Sequence, residues 1–441
     1  MKKIAYKIII ILGSVFFCIL LSILGYAFPV TKTIQKHALE SGDQLMKEGN
    51  YPDVMSLKNT KLDNYIDALM INIASFTNSS SLSERVFANY RYDISDKGPI
   101  ESLYYSRLGK EAIVSSYSRY WHGYIPFLKF MLFFTNYNGI RQINSILQIL
   151  IFVLIVSLLV KRKNIVYSLA YMFCWLSLVP TDLFFSVQYS SIYYIYSISL
   201  LLLLLDTKQI IKHIGYPIFF MIIGIFTSWI DFLTYPIATL GIPLIMVFIL
   251  NEINNVKKIF TVYITLCFAW AIGYMGMWGI KWILSSIYLH ENIIQNAFQA
   301  MVFRTSNGYN GETWTKWDVI QLNMAHYFHL SYYVILLIFI ITCLYSVKNR
   351  KIIGDFLLKI QLYLPFILTI PLPIAWYVIL SNHTKIHHNF TFRCLSISVF
   401  AFASLFAKLL EFNFDSKKYG GGGNKLLIIK LIFGFKSSEL A

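Results

Sequence analysis

Apolar runs of near-membrane length recur along the whole chain. They fall near 8–28, 141–160, 164–180, 187–205, 214–230, 234–250, 259–286, 331–347, 360–381 and 391–410. A helix of about 20 residues crosses the roughly 30 Å of bilayer hydrocarbon, so each run reads as a span. Composition agrees: 57% of the residues are hydrophobic, only 14% are charged, and the mean hydropathy is +0.58, values a soluble domain rarely reaches. The pattern predicts an all-α polytopic membrane protein with about ten transmembrane helices. The first run resembles a signal peptide, but its apolar core is too long for one and no clear small-x-small cleavage site follows, so it is read as a retained span.

Between the first and second spans lies a polar segment, 30–122, expected to be a large extracytoplasmic loop with short helices. A second outer loop is expected over 287–330. The integral domain then covers 1–410, with a cytoplasmic tail at 411–441. Orientation follows from the short loops. Lys2, Lys3 and Lys7, then Lys161–Lys163, Lys208 and Lys212, Lys257 and Lys258, the group from Lys348 to Lys359, and Lys417 and Lys418 all fall on one side if there are ten spans. Cytoplasmic loops collect Lys and Arg, so both termini are expected in the cytoplasm of a multi-pass cell-membrane protein. This accounts for the net charge of +16 without nucleic acid, for which no motif is present. Beyond the glycines at 420–423, the apolar piece Lys425–Phe435 is too short to span and is expected on the inner leaflet. The five cysteines each sit in an apolar run with no CxxC, which points to packing residues.

The polar chemistry then faces outward, where nucleotide sugars are absent. Asp63 and Asp67 open a greasy helix. Thr60 followed by Asp63 has capping-box spacing, so Asp63 is either a helix-end acceptor or a base. Asp67 lies a turn deeper, too far in to cap, and reads as a catalytic base, a structural ion pair or a solvated residue. Arg119 and His122 stand among aromatics where the chain re-enters the membrane. They suit an interfacial belt or a pocket in which rings stack on sugars and Arg119 grips a phosphate. Arg141 starts a span, either snorkelling or binding lipid phosphate. Asp231 and Asp182 sit at tight outer turns, as turn caps or functional acids. His383, His387 and His388 form a cationic, hydrogen-bonding patch; a metal pair is the lesser reading, because no acid lies near them. Arg393 sits just inside the membrane below that patch, where a lipid-facing guanidinium would be costly.

His122-Gly-Tyr-Ile-Pro126, the break before Gly139 and Arg141, and acids on the first outer loop together resemble the GT-C superfamily of integral membrane glycosyltransferases. The likeness covers roughly residues 1–200. The acids Asp63 and Asp67 stand farther from the first span than that family usually places its acidic pair, and Asp43 and Asp53 lie between. The resemblance implies a polyprenyl-phosphate-linked sugar as donor and a surface glycan or lipid-linked glycan as acceptor. It also implies an aspartate base and a single inverting displacement, with Arg119, Arg141 and Arg393 stabilising the departing lipid phosphate. No cofactor is then required, although some relatives of the fold use a divalent metal. Rich use of Ile, Lys, Asn, Phe and Tyr suggests an AT-rich bacterial genome, and cell-wall, capsule or teichoic-acid decoration as the setting. The alternatives are a polymerase or ligase of lipid-linked glycans, a lipid-linked-sugar flippase, and a scaffold. The enzyme reading expects Asp67 to face Arg393 and the histidines across one outward cavity.

Overall fold

The computed structural model describes residues 2–54, 60–77, 80–163, 165–206, 209–327, 337 and 360–418. Nearly all of the span expected at 331–347, Lys208, the basic group from Lys348 to Lys359 and the tail from Tyr419 onward lie outside the described residues. What is described is almost entirely helical, with two short antiparallel ribbons, Arg91–Asp93 with Ile113–Ser115 and Gly308–Tyr309 with Glu312–Thr313.

Among the described residues, six helices are long and apolar enough to cross a membrane: Ile4–Ala27, Tyr137–Arg162, Val187–Leu205, Val256–Leu289, Ile360–Ile379 and His388–Leu409. Three further expected spans appear as the shorter helices Ile165–Ser177, Tyr216–Ile230 and Ala238–Leu250. Ten full spans are therefore not what the described residues contain. Ala238–Leu250 shows why a short helix suffices: it is buried almost all round and packs against Val187–Leu205 and the helix that begins at Ser396. A helix enclosed by other helices does not have to match the thickness of the lipid.

Glycines and hydroxyls set the tightest crossing. Tyr216–Ile230 runs against Val256–Leu289. A Cβ on Gly224 would lie 2.2 Å from the Trp270 carbonyl oxygen, and one on Gly273 would lie 2.1 Å from that of Met221. Small residues let two backbones meet in this way, and hydroxyls add interhelical bonds. Here Thr227 and Thr239 share a 2.8 Å bond, and the Trp270 indole donates to Thr239 at 3.0 Å.

The first loop folds onto one end of this bundle. Its helices are Lys32–Glu48, Asn64–Ala74, Leu82–Ala88 and Pro99–Arg107. The third starts on a Ser81/Glu84 capping box and ends at Asn89 in the left-handed conformation. Lys281, wholly buried on Val256–Leu289, fastens the loop: its ammonium donates to the carbonyls of Val86 and Phe87 and to Asn89 Oδ1. The Trp121 indole adds a bond to the Met277 carbonyl. Asp67 meets Gln188, His383 meets Leu233, and Arg304 meets His383. The first loop, the 231–237 turn, the second loop and the 381–388 segment thus share one end. At the other end Lys408 pairs with Glu252 and Arg162 donates to the Leu203 carbonyl.

Candidate functional site

Asp63 and Asp67 take different roles from those their spacing suggests. The helix begins at Asn64, so Asp63 is itself the N-cap, accepting from the Ile66 N–H at 3.0 Å. Thr60 is not the cap; its hydroxyl donates to the Val54 carbonyl. Burial pushes the Asp63 carboxyl up to about 7, against the Ile66 N–H and with help from Asp67. Asp67 and every residue from there to Ala74 are buried, while Tyr65 and Ile66 in the first turn are half-buried. Asp67 accepts from the Tyr137 hydroxyl at 2.5 Å and from the Gln188 N–H at 3.0 Å. Burial raises its carboxyl to about 6, with those two donors opposing. Asp67 therefore ties the first loop to the starts of two spans.

Arg141 neither snorkels nor reaches toward lipid phosphate. Its Nη1 donates to both oxygens of Glu48 at 2.7 and 2.9 Å, its Nη2 to Asn64 Oδ1 at 2.8 Å, and its Nε to the Phe185 carbonyl at 2.8 Å. Its guanidinium also stacks over the Tyr137 ring. Burial raises the Glu48 carboxyl, but Arg141, Gln44 and Asn64 outweigh it and hold it below the usual range. The sequence reading passed over Glu48 because its partner lies 93 residues away.

Arg393 is likewise committed. It is fully buried, pairs with equally buried Asp182 at 2.5 Å, and donates to the carbonyls of Leu178 and Asn389. Its guanidinium lies 4.2 Å from the Tyr189 ring centre. Asp63, Asp67 and Asp182 also lie within electrostatic reach of Tyr189. Arg393 and Asp182 thus pair beside the Tyr189 phenol, while Asp67 is held separately by Tyr137 and Gln188.

Asp231 caps its own turn, accepting from the Thr234 hydroxyl and N–H. Burial lifts it to about 6, opposed by those bonds. His122 is buried, with Nε2 donating to the Tyr117 carbonyl and Nδ1 beside the Tyr124 hydroxyl. Burial drives its pKa well below the ordinary value. His383 is neutral by its partners alone. Arg304 can only donate, so Nδ1 accepts at 2.5 Å, and the Leu233 carbonyl can only accept, so Nε2–H donates at 2.6 Å. Burial and Arg304 lower it further. His387 packs on His383 and Phe390, and burial brings its pKa to about 4. His388 bonds His326 at 2.8 Å. In place of the expected cationic patch, His383 and His387 are neutral rings beside Arg304, which also donates to Tyr120. Among the described residues, no three His, Cys, Asp or Glu side chains converge as metal ligands.

Arg119 is placed differently. A cavity of about 500 Å³ lies between the two loops. The first loop contributes Tyr65, Arg91, Tyr117 and Arg119, and the second contributes Glu291, Asn292 and Asn296. Both guanidiniums lie over the Tyr117 ring, at 5.4 and 5.8 Å from its centre. Arg91 grips Asp93 through Nε, and Arg119 donates through Nη1 to Asn296 at 2.7 Å, leaving the other guanidinium nitrogens of both for a ligand. Glu291 is the only carboxylate among the lining residues. Arg91 escaped the sequence reading although it sits in an aromatic-flanked run, Tyr90-Arg91-Tyr92, of the kind that singled out Arg119. No family description, curated protein or solved structure matches this chain.

Proposed function

We propose that the chain is a membrane glycosyltransferase that takes its sugar from a polyprenyl-phosphate donor on the outer side and passes it to a surface or lipid-linked glycan. The observation that carries this is the cavity between the loops: two arginines over one tyrosine ring, two asparagines and a single carboxylate, on a helical membrane domain. Arginine suits the planar, bidentate recognition of phosphate. In this reading an acceptor hydroxyl attacks the anomeric carbon, the bond from that carbon to the phosphate oxygen breaks, and polyprenyl phosphate leaves with its charge met by Arg91 and Arg119. Glu291 takes the hydroxyl proton. This moves the base from Asp63 and Asp67 to the carboxylate that lines the cavity, because both oxygens of Asp67 are already bonded and buried. A base with an open approach to substrate contributes on the order of 10²–10⁴-fold.

The test is surface-glycan composition and the lipid-linked sugar pool in host cells carrying Arg119→Ala, Glu291→Gln or Asp67→Asn at matched membrane abundance. The reading expects the first two to lose a surface sugar and accumulate its lipid-linked form. Normal glycan in both Arg119→Ala and Glu291→Gln removes the cavity from the reaction. Loss in Asp67→Asn alone returns the base to the buried helix.

A further inference from the structure

The helix Ile125–Phe134, just ahead of the Tyr137–Arg162 span, has two unlike faces. Ile125, Leu128, Lys129 and Leu132 are buried. Phe127, Phe130 and Phe134, at i, i+3 and i+7, are exposed, from 53% at Phe127 to 63% at Phe134. Half-buried Pro126 and Met131 and exposed Phe133 complete the open face, which carries no polar side chain. The one charge on the helix, Lys129, is turned inward, its ammonium donating to the Gly25 carbonyl at 3.1 Å.

The open face is joined by direct contact to a membrane-length helix. Phe28, exposed just past the end of Ile4–Ala27, meets exposed Phe133 edge to face, with ring centres 5.9 Å apart. Pro126 packs on Gly25 so closely that a Cβ there would lie 2.7 Å from its Cγ. Both ends of the short helix therefore touch the final turn of that span. The short helix rises roughly 10 Å from Pro126 to Phe133, and the span only roughly 5 Å from Gly25 to Phe28, so the two cross instead of running side by side. The side away from the phenylalanines leads to charge. Helix Lys32–Glu48 is fastened over it by His37 Nδ1, which donates to the Leu132 carbonyl at 2.8 Å, and by Glu40, which accepts from Asn136 at 3.1 Å. The outer face of that covering helix carries the exposed ion pairs Lys36–Glu40 and Asp43–Lys47.

We propose that Ile125–Phe134 lies flat in the membrane interface, with its phenylalanine face among acyl chains and Lys32–Glu48 above it in water. The occupant is lipid because the open face runs, through Phe133 and Phe28, onto a span whose own flank is open and apolar. A row of rings on one side and a row of ion pairs on the other set the boundary between hydrocarbon and water. At about 15 Å the helix is half as long as a crossing needs, which suits lying in the plane. The first loop is thereby seated on the bilayer, and this seat fixes the depth at which Tyr137 meets Asp67. The proposal is independent of the transferase reading.

The test uses the full chain in phosphatidylethanolamine–phosphatidylglycerol vesicles. p-Acetylphenylalanine is encoded at Phe127, Phe130 or Phe134, or at Lys36 or Lys47 as water-facing references. Each is coupled to a nitroxide, leaving the native cysteines alone. Collision with dissolved oxygen, which concentrates in acyl chains, and with a water-soluble nickel chelate gives the depth of each label. The oxygen-to-nickel ratio should be several-fold higher at the three phenylalanine positions than at the two lysine positions. The three should also share one depth, roughly 5–10 Å into the headgroup–acyl boundary. Ratios equal to those at Lys36 and Lys47 put the face in water and overturn the proposal. Depths that differ by roughly 10 Å between Phe127 and Phe134 describe an upright helix and also overturn it. So does shielding from both agents, which would put a second copy or another protein on the face. The replaced side chains are exposed and the keto residue keeps the phenyl ring, so the label leaves the packing intact.

Discussion

The Asp182–Arg393 pair offers the sharpest quantitative prediction. Both side chains are wholly buried. Asp182→Leu leaves the guanidinium without its counter-charge. Two of its bonds, to the carbonyls of Leu178 and Asn389, survive and soften the loss. Removing one partner of a buried pair costs about 3–5 kcal/mol. For a chain of this size that is a fall in melting temperature on the order of 3–5 °C. Arg393→Met should differ in kind. An orphaned carboxyl can take up a proton and become neutral, whereas a guanidinium cannot lose one. The cost of Arg393→Met should therefore shrink as pH falls from 8 toward 7, the value to which burial raises the Asp182 carboxyl against the pull of Arg393. The double variant replaces the pair by apolar side chains and should recover most of the loss, so the coupling should be at least as large as one single loss. The assay is thermal unfolding of the purified protein in lipid nanodiscs across that pH range. Additive single effects, with coupling under about 0.5 kcal/mol, would refute the view that these charges depend on each other.

Three other perturbations follow from the same packing. The Asp63 carboxyl, raised to about 7 in the fold against about 4 unfolded, binds its proton more tightly when folded. Stability should then fall as pH rises between those values, and Asp63→Asn, which keeps an N-cap acceptor, should flatten that slope; an unchanged melting-versus-pH curve would count against it. Tyr137→Phe removes the hydroxyl from the Asp67 carboxylate and should cost about 1.5–3 kcal/mol in thermal unfolding. Gly224→Ala and Gly273→Ala should each destabilise by roughly 1–3 kcal/mol, because the new methyl meets backbone oxygen. Gly276→Ala and Gly279→Ala, with open space at Cβ, should stay within about 0.5 kcal/mol, and equal effects at all four glycines would disprove the close crossing.

The helical membrane class was legible in the chain, because hydrophobic runs are local signals. Span number was less so. Ala238–Leu250 is as apolar as a lipid-crossing helix, yet its apolarity serves protein neighbours. The identity of the site residues was only partly legible. Arg119 was visible through its aromatic surroundings. Arg141 and Arg393 drew attention as charges in apolar helices, which is correct as far as it goes. What spacing could not show is that Glu48 and Asp182, 93 and 211 residues away, neutralise them. Arg304 stayed hidden for the same reason: nothing near it in sequence announces His383.

The Lys281 clasp has a consequence for the order of assembly. Its three acceptors all belong to the first loop, nearly 200 residues earlier in the chain. A buried ammonium on a membrane-length helix is costly until it is met. When Val256–Leu289 enters the bilayer, the acceptors that meet Lys281 in the fold, Val86, Phe87 and Asn89, come from a loop made earlier. The early loop thus acts as a checkpoint on the later helix, and a chain whose first loop misfolds carries its defect as an unsatisfied charge in a distant span.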